Sequence, residues 1–275
     1  MLINYGKQNI DNSDVREVIS ALKSDKITQG AYVEKFENSL KKKFSSPYCV
    51  AVNNGTAALY LSLKSLNLKK NEKVICSPNT FFSSVYTIIL NNLVPDFCDI
   101  ELQTFNIDLN LLEHKIKRDK KIKAIVAVDF AGHPCDWKSL NFLKQKYNLK
   151  IINDNCHAIG AKINNDQGYA VKYSDLVTHS YHPVKNITSG EGGAVLTKNK
   201  FLFSSLYRNR NHGIIRDNNL MKNGRWLYEV KKFGFNFRLS DINAALGYSQ
   251  LKRLNSFVAK RNKIAKIYNK SLSKY

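Results

Sequence analysis

Between residues 48 and 154 the chain alternates short apolar runs with helix-like stretches, one strand-and-helix unit about every 25 residues. Residues 49–52, 73–77, 94–99, 122–129 and 150–153 read as strands. Residues 56–66, 80–91, 109–117 and 136–147 read as helices. This pattern leaves few topologies. Parallel neighbours need a long crossover, and crossovers within one sheet are right-handed. The expected class is α/β, a mostly parallel sheet with helices on both faces.

The flanks add less. Val15, Val18, Ile19 and Leu22 share a helical face over 12–23, with Asn12 or Ser13 expected as its cap. Val33, Phe36 and Leu40 mark a second amphipathic helix after a polar turn at 24–30. Past residue 170 the expected strands, 175–178 and 194–197, lie closer together, and from Ser240 the chain reads as helical.

Composition removes several function classes. Of 275 residues 43% are hydrophobic, enough for a core, so disorder is not expected. No apolar run reaches the ~18 residues of a spanning helix, and no secretory signal pattern opens the chain. Five widely spaced cysteines without a C-x-x-C pair fit a reducing, cytoplasmic setting, with neither a disulfide framework nor a zinc site. No metal is expected, since Cys156, His157, His179 and His182 lack a standard ligand spacing. The net charge of +21 raises the question of nucleic acid. The clusters Lys41–Lys43, Lys69–Lys70 and Lys115–Lys123 fall at helix ends and connections, without interleaved aromatics. Nucleic-acid and membrane partners are therefore not expected, while a positive field would favour small anionic substrates.

Four stretches carry chemistry. Asn53-Asn54-Gly55-Thr56-Ala57 follows a strand and opens a helix, where free N–H groups and a hydroxyl suit a phosphate. Asp154 closes a strand, so its carboxylate faces the crevice in which open parallel sheets hold ligands. There it can pair with a protonated ring nitrogen. His157 lies three residues on. Lys185 sits in a loop with Gly190, Gly192 and Gly193, and a lysine held out of water can condense with an aldehyde. Phe81, just past the strand 73–77, offers a ring to stack on a flat heterocycle. Each has an ordinary reading too: a helix cap for Thr56, a turn aspartate, a structural histidine, a surface lysine, a core phenylalanine. Their joint occurrence along an α/β chain is what a pyridoxal phosphate site requires.

The residues that carry a resemblance run almost end to end. They are 5–8 Tyr-Gly-Lys-Gln, 22–30 Leu-Lys-Ser-Asp-Lys-Ile-Thr-Gln-Gly, 54–59 Asn-Gly-Thr-Ala-Ala-Leu and 154–161 Asp-Asn-Cys-His-Ala-Ile-Gly-Ala. Further along come 180–185 Ser-Tyr-His-Pro-Val-Lys, 190–193 Gly-Glu-Gly-Gly, 210–213 Arg-Asn-His-Gly and 234–241 Gly-Phe-Asn-Phe-Arg-Leu-Ser-Asp. In these the chain resembles the DegT/DnrJ/EryC1/StrS sugar-nucleotide aminotransferases, of the aspartate aminotransferase-like, fold type I class of pyridoxal phosphate-dependent transferases. With histidine at 157, the combination His-Pro-Val-Lys-x-Ile-Thr-x-Gly-Glu-Gly-Gly is most similar to the branch acting on UDP-linked 4-keto-6-deoxy amino sugars in pseudaminic acid biosynthesis. Dehydratase relatives carry histidine where this chain has Lys185.

The resemblance implies roles for individual residues. Lys185 binds pyridoxal 5'-phosphate through an imine and moves the proton between the cofactor carbon and the sugar C4. Asp154 pairs with the pyridine nitrogen, His157 lies near the ring hydroxyl, and Phe81 stacks on the ring. Thr56, Ala57 and Ser180 hold the phosphate, and Asn236 reaches the phosphate of a neighbouring subunit. Tyr5 and Asp25, Lys26, Ile27 and Thr28 belong to the nucleotide-sugar surface. L-glutamate is the implied amino donor and a homodimer the implied assembly. Residues 1–240 are expected to form a large cofactor-binding domain with an N-terminal helical segment, and 241–275 the start of an incomplete small C-terminal domain. Family members run on for roughly another hundred residues. Another nucleotide-sugar aminotransferase of this family, an inactive or partner-dependent truncated subunit, and a basic anion- or nucleic-acid-binding protein are the competing expectations.

Overall fold

The computed structural model describes residues 6–215, 224, 226–230 and 232–274. Among these, the central element is a seven-stranded sheet. In chain order its strands are β1 (Tyr48–Val52), β2 (Lys73–Cys76), β3 (Val94–Phe97), β4 (Ile122–Val128), β5 (Lys150–Asp154), β6 (Leu176–Ser180) and β7 (Gly193–Thr197). Across the sheet they run β1-β7-β6-β5-β4-β2-β3. β3, β2, β4, β5 and β6 are mutually parallel, and β7 alone runs against its two neighbours. The mostly parallel α/β sheet expected from the alternation is present, and the five strands read between 48 and 154 recur within two residues at each end.

The strands are apolar on both sides because helices cover both faces. Ala124, Val126 and Val128 of β4 join Val74, Ile152, Val195 and Leu59 in one core, under α3 (Gly55–Ser65), α4 (Ser83–Leu90) and α8 (Lys200–Arg210). Ile125 and Ala127 join Phe36, Leu112, Trp137 and Ile151 in the other. That face is covered by α2 (Ala31–Lys43), α5 (Leu109–Arg118), α6 (Trp137–Tyr147), α7 (Tyr169–Tyr173), α9 (Asp241–Lys252) and the start of α10 (Leu254–Ser271). Neighbouring residues of one strand enter opposite cores, as a period of two demands.

α1 (Asn12–Leu22) and α2 pack against α9. The cap of α1 is Asp11, which forms a capping box with Asp14, rather than Asn12 or Ser13. Gly30 caps α2 without a side chain, and the buried Asp241 carboxylate substitutes. It accepts from Gly30 N at 2.7 Å and from Tyr32 N at 2.8 Å. A Cβ on Gly247 would stand 2.8 Å from the Phe36 ring, so glycine in α9 lets the two helices meet. Beyond Leu254, α10 exposes Ile264, Ile267 and Tyr268.

Of the lysine clusters expected at helix ends and connections, Lys41–Lys43 lies in the last turn of α2 and Lys115 with Lys117 in that of α5; α6 adds Lys144 and Lys146. Several are paired: Lys115 with Asp96 at 2.6 Å, Lys144 with Asp175 at 2.9 Å and Lys146 with Glu113 at 2.8 Å. No helix among the described residues is long and apolar enough to cross a membrane.

Candidate active site

Strand register assembles the first corner. Val52 of β1 and Ser180 of β6 both lie opposite Gly193 of β7, so the ends of β1 and β6 stand in one row. The turn after β1 then has to pass Ser180. A Cβ on Gly55 would sit 2.8 Å from the Ser180 Cβ, and one on Gly193 would collide with the Asn54 carbonyl. Glycine at both positions brings the N-terminus of α3 onto Ser180. Asn54 caps α3, its Oδ1 accepting from Ala57 N at 2.8 Å. The Thr56 and Ser83 hydroxyls are hydrogen-bonded at 2.8 Å. Thr56, Ala57 and Ser180 thus share one corner at a helix N-terminus, the geometry that favours an anion. The Ala57 amide is already engaged by the cap.

Asp154 closes β5 in a buried position. Its Oδ2 accepts from the Ser84 hydroxyl at 2.7 Å, and its Oδ1 from Cys156 N at 3.2 Å. Ser84 is itself hydrogen-bonded to Thr80 at 2.7 Å. The carboxylate is therefore aimed by α4, from 70 positions away in the chain. Sequence reasoning missed Ser84; the available signal was Thr80 and Ser84 four residues apart beside the expected stacking phenylalanine. His157 follows in the turn after β5, with Phe130 edge-on to its ring at 5.9 Å. Its Nδ1 is buried and has no hydrogen-bond partner among the described residues. Burial pushes the imidazole below its ordinary pKa, the Lys185 ammonium adds to this, and Asp154 opposes it. The Cys156 thiol is pushed up by burial and by Asp154, while Lys185 pulls it down. Lys185, Asp154 and the turn 156–157 thus lie within electrostatic reach of one another.

The Lys185 loop is pinned from several sides. Ser189 N donates to Tyr181 O at 3.0 Å, closing it between β6 and β7. Asn186 Nδ2 donates to Ile159 O at 2.7 Å, tying it to the turn after β5. Arg261 of α10 donates to the Lys185 carbonyl at 3.2 Å. Gly190, at φ +77°, provides the left-handed residue that the return requires.

The remaining candidates spread around this centre. Phe81 precedes α4, its carbonyl accepting from Ser84 N at 3.0 Å, and its side chain is 69% exposed. Asp25, Lys26, Ile27 and Thr28 are exposed, and their segment is stapled to the start of α9: Asp241 N donates to Ile27 O at 2.9 Å and Thr28 bridges Ser240. Asn243, in the same helix, donates to Ser189 O at 2.6 Å at the end of the lysine loop. Asn236 is exposed and bridges Asn211, while its neighbour Phe237 accepts from Asn53 N at 3.0 Å beside the corner at the start of α3. Tyr5 lies outside the described residues, but Gly6 and Lys7 line a cleft of about 1080 Å³ that also takes in Cys156, His157 and Lys185. Among the described residues that lining carries Lys7, Lys162, Lys185 and Arg261 and no carboxylate.

The sequence profile of the DegT/DnrJ/EryC1/StrS aminotransferase family matches residues 8–275. This chain belongs to that family. It is 35% identical over 274 residues to the UDP-4-amino-4,6-dideoxy-N-acetyl-beta-L-altrosamine transaminase of Campylobacter jejuni, covering 99% of this chain and 70% of that protein. The fold superposes on an aminotransferase of Helicobacter pylori involved in pseudoaminic acid biosynthesis with a TM-score of 0.90, at 29% identity, over 98% of this chain and 70% of that one. A putative sugar aminotransferase of Streptococcus pneumoniae in its PLP-form gives a TM-score of 0.89 at 27% identity, over 99% of this chain and 72% of that one. The sheet is accordingly that of the fold type I aminotransferases, and the chain spans about 70% of the length of these relatives.

Proposed function

We propose that this family member transfers the amino group of L-glutamate to a nucleotide-linked 4-keto-6-deoxy amino sugar, with pyridoxal phosphate as cofactor. One observation carries the reading: the Lys185 loop, Asp154 and His157 converge at the carboxyl ends of β5 and β6, next to the hydroxyl corner of Thr56 and Ser180. The residues present suit that cofactor. The corner at the α3 N-terminus suits a phosphate dianion, the Asp154 carboxylate suits a protonated ring nitrogen, and the unpartnered His157 Nδ1 suits a ring hydroxyl.

When bound, pyridoxal phosphate supplies a conjugated ring that accepts the electron pair left as a proton departs from carbon. The chain does the rest. Lys185 would hold the aldehyde carbon through its amine and, once an incoming substrate amine has displaced it, would be the base and acid placed to carry the proton. Asp154, oriented by Ser84, keeps the ring nitrogen charged. Phe81 covers one ring face. The basic cleft beside Lys185 suits the dicarboxylate donor and the anionic nucleotide sugar in turn, with Tyr5 and Asp25–Thr28 on the sugar-nucleotide side. The reading takes the working unit as a homodimer in the cytoplasm. The homodimer is supported by the exposed Asn236 beside the phosphate corner, by the exposed Phe82 just before α4 and by the exposed Tyr86 and Ile89 on it.

Absorbance spectroscopy tests the reading. Protein mixed with pyridoxal phosphate should gain a visible or near-ultraviolet band that Lys185→Ala lacks. L-glutamate should bleach it, and a nucleotide 4-ketosugar should restore it. Absence of any band in the unaltered protein would overturn the cofactor assignment, and a band indifferent to glutamate would overturn the donor.

A further inference from the structure

Asp129 directly follows β4, is fully buried, and has no role in the chemistry above. Its two oxygens accept five hydrogen bonds. Oδ1 takes Cys135 N at 2.9 Å and the Trp137 indole at 3.0 Å. Oδ2 takes the side-chain amides of Asn153 at 3.1 Å and Asn155 at 2.9 Å, and the Tyr169 hydroxyl at 2.8 Å. No ion pair to Asp129 occurs among the described residues, so a buried acid stands without a counter-charge. Burying such an acid costs stability, which its five donors offset.

What it fixes follows from strand periodicity. Asn153 and Asn155 flank Asp154, and residues two apart lie on the same side of a strand. Both reach Asp129 on the α6 and α7 side. Asp154, between them, reaches Ser84 of α4 on the opposite side. The Asp129 amide also donates to the Asp154 carbonyl at 3.2 Å. Gripping 153 and 155 therefore sets the rotation of the strand end about its own axis, and with it the direction of the Asp154 carboxylate. We propose that Asp129 is a positioning residue: it holds the end of β5 so that Asp154 and the turn carrying His157 face the ring-binding corner. This rests on the functional reading above for the meaning of that corner, though not for the mechanics.

The test separates positioning from general stability. Asp129→Asn keeps the shape but turns an NH2 group toward donors. Trp137→Phe removes one donor to the same carboxylate from the α6 side and touches neither asparagine. Amide hydrogen exchange at 153–157 is measured on the cofactor-free proteins, then the pH midpoint of the cofactor band after loading, with thermal midpoints for both. Asp129→Asn should speed exchange at 153–157 by about tenfold and move the band midpoint by about half a pH unit. Trp137→Phe should leave both near the unaltered values at a comparable loss of thermal stability. Asn155→Ala, a milder cut of the same link, should follow Asp129→Asn in direction and serves where that variant does not fold. Unchanged protection at 153–157 in Asp129→Asn and Asn155→Ala, or equal changes in Trp137→Phe, would overturn the proposal. The exchange arm needs no cofactor, so a failed cofactor assignment and a failed positioning role give different results.

Discussion

Asp129 directly follows β4 and Asp154 ends the adjacent parallel strand β5 at the same, carboxyl, end; both are buried, and they are held in opposite ways. Asp129 accepts five hydrogen bonds, from Cys135, Trp137, Asn153, Asn155 and Tyr169. A carboxylate has about four lone-pair sites, so nothing is left for a ligand. Asp154 accepts two, from Ser84 and Cys156, and keeps capacity for a ring N–H. Burial pushes the Asp129 carboxyl up against the pull of its donors. Burial therefore does not single out the acid proposed to meet the cofactor ring; unspent hydrogen-bonding capacity does. The histidines repeat the contrast. His179 is buried on β6 with its Nδ1 3.1 Å from the Tyr181 hydroxyl, whereas the His157 Nδ1 has no partner among the described residues.

Four variants can break or sharpen this contrast. The largest effect is expected from Asp154→Asn: a loss on the order of 10²–10³ in the rate of the glutamate half-reaction, with the thermal midpoint little changed. A variant that melts early and keeps its rate would reverse the assignment. Asp129→Asn should do the converse, lowering stability in urea by about 3 kcal/mol as buried donors lose their acceptor, with a smaller rate loss. Third is acid sensitivity. Burial depresses His179 from 6.5 to about 3, so the folded form stays neutral where the unfolded form takes up a proton. Stability from this group is intact above pH 6.5 and falls as pH drops toward 3, by up to ~1.4 kcal/mol per unit. His179→Asn should flatten that slope in urea titrations between pH 6 and 4, and an unchanged slope would assign the acid lability elsewhere. Last, Ser84→Ala should cost about 1 kcal/mol and move the pH midpoint of the cofactor band, since Asp154 loses one of its two donors. If the midpoint stays put, Ser84 contributes only packing.

The sheet was legible because strand periodicity and crossover length are local properties. The lysine loop and the strand-end aspartate were legible for the same reason: glycine spacing and a strand terminus can be read in place. The Asp129 cluster was not. In sequence Asp129 is the last residue of the run 122–129, and its donors lie between 135 and 169. Helix α8 was missed because its apolar residues are not one-sided: Phe201 is 87% exposed while Leu206 is buried. α7, at five residues, is shorter than the helical period can register. Helix α4 was expected from Thr80 and begins at Ser83: its first helical backbone bond runs from Tyr86 N to Phe82 O, and the bonds before it are turns. In sequence Asp241 is only the end of the 234–241 motif; its work at the cap of α2 spans 211 positions.

Gly55 and Gly193 bear on how this chain can vary. Neither offers a side chain to a ligand, yet each leaves less room than one methyl group between the α3 turn and the strands beside it. A saturation mutagenesis survey scored on function should therefore find these two positions among the least permissive in the chain, on a par with Lys185. The exposed Phe81, one residue from an otherwise crowded helix start, should accept other aromatic rings.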